Sequence, residues 1–463
     1  MTTRSSPEAG EPVATNNRLP DTPVQKWVRP FVAFLEIESA SGVVLLICIL
    51  VALVLANSLW SAQYAEFWHT PIVIGIGSFA STRPLDWWVN DALMTIFFFV
   101  VGLEIKRELV AGELREFRKA ALPILAALGG MIAPASIYLL LQGGQTGERG
   151  WGIPMATDIA FVVGFLALLG PRVPLGLKIL LLSLAIADDI GAVLVIAVFY
   201  SNDISMPMLG LAGAGFAVTY FFNLIGVRRV PIYIVVGAFI WLAFLNSGVH
   251  PTITGVLLGL LTPASAWVGD RSLIDIVGDV WHSLRTDADG QPEYHHQPLL
   301  EQLETAAHES TSPLERLETG LHPWVAFGIM PVFALANAGV SIDVSAVTHP
   351  IAFAVACGLI LGKPLGILVF SGLGVALGLA KLPTGVNWPV MLGAGCLAGI
   401  GFTMSLFVAN LALTGPLLDA GKLGTLLGSA VSAVLGCVLL LLWLPASTDA
   451  PASSERCRPD PEQ

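Results

Sequence analysis

Residues 174–200 read PLGLKILLLSLAIADDIGAVLVIAVFY. A helix needs about 20 apolar residues to cross a ~30 Å hydrocarbon layer, and this stretch has that length. Two aspartates, Asp188 and Asp189, nevertheless stand at its middle. At a rise of about 1.5 Å per residue both carboxylates lie roughly 20 Å from either end, too deep for short side chains to reach a surface. A charged group at mid-bilayer costs on the order of 2.5–3.5 kcal/mol on insertion scales, so it needs a partner or a function.

The rest of the chain has the same character. Of its 463 residues 55% are hydrophobic and 12% charged, about half the charge of an average soluble domain. Twelve apolar spans can be counted, at 39–58, 86–106, 120–141, 151–170, 174–200, 206–226, 230–245, 248–263, 323–341, 350–371, 388–413 and 422–445. The expected fold is an all-α polytopic membrane protein with about twelve transmembrane helices. Spans seven and eight are separated by Leu245-Asn246-Ser247 and form a helical hairpin. Residues 1–26 and 447–463 are polar and Pro-rich and read as disordered tails flanking a membrane domain over 27–446. The first tail lacks the basic-then-apolar-then-small order of a signal peptide.

Lys and Arg set the orientation. With the amino terminus in the cytoplasm, nineteen fall on the inner side, among them the run Lys106, Arg107, Arg115, Arg118 and Lys119. Three, Arg83, Arg149 and Lys422, fall outside, and Lys363 lies within a span. That asymmetry predicts both termini inside. The net charge of −11 argues against nucleic acid, and the acidic excess sits in the tails and in the loop 264–318. Cys48, Cys357, Cys396 and Cys437 lie in apolar segments and Cys457 in the tail, without metal-ligand or disulfide spacing.

The enlarged cytoplasmic loop 264–318 carries eleven acidic residues, three Arg and four of the eight His. Within it Leu273, Ile276, Val277, Val280 and Leu284 recur at helical spacing, a stripe suited to the bilayer surface. Ser312-Pro313-Leu314-Glu315 reads as a capping box, so a helix leads into span nine. His282, His295, His296 and His308 lack ligand spacing and read as solvated.

Three further features bear on the buried pair. Asp158 follows Gly152 and Pro154, which interrupt span four; Gly393, Gly395, Gly399 and Gly401 interrupt span eleven. Glycines also serve close helix packing, but two interrupted spans in corresponding positions point to a transporter built of paired repeats. Lys363, in LGKPLG (361–366), either snorkels to the inner face or offers a cation to Asp188 or to the negative end of a broken helix. Neighbours on a helix differ by about 100°, so one partner does not serve both aspartates, and the pair is expected to border a water-filled cavity. Carboxylate oxygens are hard ligands for small hard cations, and adjacent carboxylates titrate as one unit. A site that holds either a cation or protons is what cation/proton exchange requires. A sodium-coupled organic-anion symporter is the alternative, although apart from Lys363 no membrane-embedded Arg or Lys is available to hold the anion. An aspartyl intramembrane protease could use Asp158 and Asp189 but leaves the adjacent pair and Lys363 unexplained.

Seven strings resemble the NhaA-type sodium/proton antiporters: VGLEIKREL (101–109), PMATDIAFVVGFLALLG (154–170), LAIADDIGAV (184–193), SGVHPTITGV (247–256), LHPWVAFGIMPVFALANAGVS (321–341), LGKPLGI (361–367) and GIGFTMSLF (399–407). The resemblance covers about residues 30–445 and implies inverted repeats, with spans four and eleven crossing near the midplane. It implies electrogenic, pH-regulated export of Na⁺ or Li⁺ against protons through Asp188 and Asp189 in a bacterial plasma membrane, without a cofactor. Thr157 and Asp158 would border the crossing, with Thr403 in support. Lys363 would offset negative helix ends and pair with Asp188 when no sodium is bound. Glu104, Glu108, Glu318, His322 and His250 match positions tied to pH sensing in the family. Its usual second histidine, three residues before His322, is Thr319 here. Read without the family, Glu104 and Glu108 form a solvated face beside Lys106 and Arg107, and His322-Pro323-Trp324 an interfacial anchor. The family dimerises through a β-hairpin in the first outer loop, for which Ser61–Leu85 is long enough.

Overall fold

The structure is a computed structural model and describes residues 38–76, 79–201, 203–227, 229–286, 296–342 and 344–444. The two expected tails lie outside the described residues. The chain is a helical membrane protein. Among the described residues eight helices are long and apolar enough to cross a bilayer, or ten if two bent pairs each count as one.

In chain order α1 is Glu38–Ala56 and α2 Ser61–Trp68, turned 117° from one another. An antiparallel hairpin follows, β1 Pro71–Ile76 and β2 Phe79–Pro84, with Pro71 opposite Pro84. Then come α3 Leu85–Val110 and α4 Phe117–Gln142. The 3₁₀ segment Glu148–Met155 leads to α5 Ile159–Leu169, and α6 is Leu175–Phe199. Next are α7 Met206–Leu224, α8 Val230–Leu245 and α9 Ile253–Leu261. The loop 264–318 is itself helical, with α10 Asp270–Thr286 and α11 His296–Glu309. The last elements are α12 Pro313–Asn337, α13 Pro350–Ala376, α14 Trp388–Ala398, α15 Phe402–Ala412 and α16 Pro416–Trp443.

Apolar side chains dominate the outside as well as the core, and a smaller set of polar ones is buried inside. Leu140 is 85% exposed and Leu442 70%, while Lys363, Thr403 and Ser429 are wholly buried. Most spans share one apolar core; Ala212, Ile240, Ala243, Phe244 and Ile253 form a smaller one between α7, α8 and α9.

Proline chemistry shapes two long helices. A proline lacks the N–H that bonds back to residue i−4, and its ring collides with that carbonyl. In α12 the turn Val325–Ile329 widens to a π-helix two residues before Pro331, and in α13 Gly358–Gly362 does so two residues before Pro364. Such bulges re-aim the side chains that follow, and Lys363 is the first residue after the second one. Its helix also lies against the backbone of α4. A Cβ on Gly366 would sit 2.0 Å from the Gly129 carbonyl oxygen, and one on Gly129 2.1 Å from that of Gly366.

The expected capping box is present: Ser312 Oγ accepts from the Glu315 N–H, and the Glu315 carboxylate accepts from the Ser312 N–H, both at 3.2 Å. The stripe on α10 divides. Val280 is buried and Leu273 and Ile276 half-buried, while Ile274, Val277 and Trp281 stay exposed. Helix α11, which packs on α10, carries no periodic signal as clear, and α2 was masked by its aromatic and polar mixture. His308 is not simply solvated: its Nε2 lies 2.9 Å from Arg316 Nη1. His295 is outside the described residues.

Replacing Gly366 by Ala forces α13 and α4 apart and is expected to destabilise the protein by about 1–3 kcal/mol. Thermal melting of the detergent-purified protein checks this; an unchanged melting temperature would show that the two helices separate freely.

Candidate functional site

The backbone breaks twice at the centre of the molecule. Ala156, Thr157 and Asp158 separate the 3₁₀ segment from α5, and Gly399, Ile400 and Gly401 separate α14 from α15 at a bend of 49°. The breaks are pinned to one another. The Asp158 N–H donates to the Ile400 carbonyl at 2.7 Å, and the Thr403 N–H donates to Asp158 Oδ2 at 3.1 Å. Ser405 Oγ donates to the Ile153 carbonyl at 2.7 Å.

Each break leaves one helix start and one helix end inside the protein. Helix starts carry unbonded N–H groups and roughly half a positive charge; helix ends carry the opposite. Asp158 answers both starts. It caps α5 through the Phe161 N–H at 3.4 Å, and it accepts the Thr403 N–H and hydroxyl from α15. Ser429 on α16 takes the remaining donors, accepting the Gly401 and Phe402 N–H groups at 3.1 Å each. Each end lies beside a polar side chain. Lys363 Nζ donates to the Met155 carbonyl, the last of the 3₁₀ segment, and Thr157 Oγ1 lies 2.9 Å from the Ala398 carbonyl at the end of α14.

Asp188 and Asp189 lie beside this crossing, 1% and 2% exposed. Asp188 Oδ2 accepts a charged hydrogen bond from Lys363 Nζ and stands 2.6 Å from Thr157 Oγ1. The threonine hydroxyl has one proton, and the nearer, charged acceptor favours Asp188 over Ala398. Asp188 Oδ1 and Asp189 Oδ1 are buried and lack a hydrogen-bond partner. The carboxylates of Asp188, Glu104 and Asp158 all lie within electrostatic reach of Asp189. The structure thus brings together all six residues singled out at the centre: Thr157, Asp158, Asp188, Asp189, Lys363 and Thr403. It departs from expectation in one respect. The aspartates do not line an open cavity, because Lys363 and Thr157 fill the space beside Asp188 and the two breaks close over it.

The other candidates fall in two places. Glu104 and Glu108 on α3 are half-buried rather than solvated, because α12 and α6 pack beside them. Glu318 is 8% exposed and pairs with Arg107 at 2.5 Å, with His322 close enough to influence it. Trp324 is 72% exposed, as an interfacial anchor would be. His250 stands apart from these four. Its Nδ1 is 2.7 Å from Thr252 Oγ1 and its Nε2 3.6 Å from Asp91. Sequence reasoning missed Asp91, near the start of span two, and Ser183, Ser405 and Ser429, since a lone serine in an apolar helix reads as a small packing residue. The one usable signal was that Ser429 and Ser432 are one turn apart in span twelve.

Fold and centre together define a helical integral membrane protein with a buried carboxylate pair at its centre. The chain belongs to the NhaA-type Na⁺/H⁺ antiporter family. The family profile described as Na⁺/H⁺ antiporter 1 matches residues 32–440. The chain is similar to the Na⁺/H⁺ antiporter NhaA of Rhodopirellula baltica, 49% identical over 94% of this chain and 99% of that protein. It is 52% identical to Na⁺/H⁺ antiporter NhaA 2 of Sorangium cellulosum over 90% and 91%. With Na⁺/H⁺ antiporter NhaA 3 of Acidiphilium cryptum the identity is 48% over 96% of each. The organic-anion symporter finds no support in these matches. Its cation is also already engaged, since Lys363 is held by Asp188 and Met155.

Removing one partner of a buried ion pair strands the other charge and destabilises by about 3–5 kcal/mol. Lys363→Met is therefore expected to lower the melting temperature markedly in sodium-free buffer, and adding Asp188→Asn is expected to recover most of the loss. A double variant no more stable than the single one would show that the pair is not the source of the effect.

Proposed function

We propose that this protein is a secondary antiporter that exports Na⁺ or Li⁺ in exchange for protons, with Asp188 and Asp189 holding the two cargoes in turn. The observation that carries this reading is the state of the pair. One carboxylate is neutralised by Lys363, and each aspartate keeps a buried oxygen without a partner. Burying unpaired anionic oxygen is unfavourable, so those positions call for a proton or a hard cation. A sodium ion arriving at the pair competes with Lys363 for Asp188, and protons arriving compete with sodium for both carboxylates. Binding of either excludes the other, which couples the two fluxes. No resident cofactor enters the cycle.

Family membership supports the finer architecture. The chain crosses the membrane twelve times, with α1 the first span and α8, α9 and the bent pair α14–α15 completing the count. The broken spans four and eleven belong to inverted repeats and cross near the midplane, where Asp158 and Lys363 offset the helix ends. Access alternates as the helices around the breaks rock against the others. Two adjacent carboxylates can take up two protons for one sodium ion, so exchange is electrogenic and driven by the proton gradient. Both termini are cytoplasmic in a bacterial plasma membrane, in line with the Lys and Arg asymmetry. Glu104, Glu108, Glu318 and His322 lie at the cytoplasmic mouth and adjust exchange to pH, with His250 acting from the outer side. The hairpin of β1 and β2 joins two copies in a dimer embedded in membrane lipid.

Sodium-induced proton release in everted vesicles tests the central claim. Asp188→Asn and Asp189→Asn are each expected to abolish it while the parent responds to Na⁺ and Li⁺. Full exchange in both variants would remove the pair from the site.

A further inference from the structure

Arg107 and Glu108 are neighbours near the end of α3 but reach in different directions. Arg107 donates to Glu318 on α12 at 2.5 Å. Glu108 Oε1 accepts the hydroxyl of Ser183 on α6 at 3.2 Å. The same oxygen accepts the Glu113 N–H at 3.0 Å, where the short 3₁₀ turn Glu113–Arg115 begins. One carboxylate therefore joins three pieces of the protein: α3, the connection from α3 to α4, and α6.

The partner on α6 does not use its local alternative. A buried serine there satisfies its hydroxyl most simply on the carbonyl four residues earlier. Ser183 is 2% exposed, yet its hydroxyl is directed across to another helix. Among the described residues this is the one side-chain hydrogen bond between α3 and α6. It lies five residues before Asp188 on the same unbroken helix, about 8 Å along the axis. A displacement of α6 at Ser183 therefore reaches the aspartates undamped.

We infer that Ser183 is a positioning residue for the ion site. Its hydroxyl holds the Glu108 carboxylate against the aspartate-bearing helix and couples the α3–α4 connection to Asp188 and Asp189. This rests on the reading of those two aspartates as the cation site. The bond is an element with two states. Formed, it sets the axial position of α6 against α3; broken, it releases α6 to shift.

The test compares the parent with Ser183→Ala, Ser183→Thr, Glu108→Ala and the double variant, in everted vesicles with sodium as the varied ion. Side chains that couple distant sites modulate binding by about two- to thirtyfold. Ser183→Ala is expected to raise the half-saturating sodium concentration about threefold or more, with the maximal rate within about twofold of the parent, in line with that range. Ser183→Thr keeps a hydroxyl and restores parental behaviour, and Ser183→Ala adds nothing in the Glu108→Ala background. Melting temperatures separate these effects from loss of folding. A parental half-saturation in a folded Ser183→Ala variant overturns the inference, as does an equal shift with and without Glu108. If Asp188→Asn and Asp189→Asn abolish exchange while Ser183→Ala is silent, this inference fails alone; if both aspartate variants exchange normally, the site assignment has failed instead.

Discussion

The ion pair between Lys363 and Asp188 is the interaction on which the rest depends. Both groups are fully enclosed in a helical core, their side chains 0% and 1% exposed. Alone, either charge would be prohibitive in that setting; together, and with Thr157 and the Met155 carbonyl completing their hydrogen bonds, they are tolerated. The pairing dictates that α6, α13 and the 3₁₀ segment before α5 meet at one point. It also dictates what is left over, namely one unpartnered oxygen on each aspartate. Those oxygens are where the proposed cargo would bind, so the same contact bears on stability and on the proposed exchange.

Around that pair the breaks act as a charge-balanced unit. Each break generates a positive start and a negative end in the interior. Asp158 meets both starts, assisted by Ser429, while Lys363 meets the end of the 3₁₀ segment and Thr157 stands beside the end of α14. The side chains that compensate the breaks thus also hold or surround the aspartates. A cation or proton entering the pair perturbs the same network that fixes where the half-helices lie, a physical basis for coupling occupancy to conformation. Proline is the second recurrent device. Pro331 and Pro364 each follow a widened turn, and the latter delivers Lys363 to the centre.

Much of the site was legible in sequence because its members are anomalies in an apolar background. Asp158, Asp188, Asp189 and Lys363 stand out for the insertion cost that each carries, and Gly152, Pro154, Gly399 and Gly401 mark the two breaks through backbone chemistry that acts locally. Residues whose role depends on a distant partner were not legible. Ser183 and Ser429 look like any small residue in a span until α3 and the second break are brought beside them. Glu104 and Glu108 read as solvated because Lys106 and Arg107 are next to them in sequence, whereas burial was decided by α12 and α6. The α10 stripe was visible as a period, but its division between the face that packs on α11 and the exposed face was not.

The sequence by itself determined that this chain is a bundle of membrane helices with ionisable groups at the centre, because hydrophobic length and charge placement are properties of single segments. It also determined where the helices break. Only the tertiary structure decided that Lys363 reaches the Met155 carbonyl as well as Asp188, that Asp158 caps two helices at once, and that the pair is closed from solvent. Those outcomes depend on the relative rotation and depth of packed helices, set by contacts such as that of Gly129 with Gly366. The sum of many weak contacts between distant segments fixes that geometry, and no local period records it.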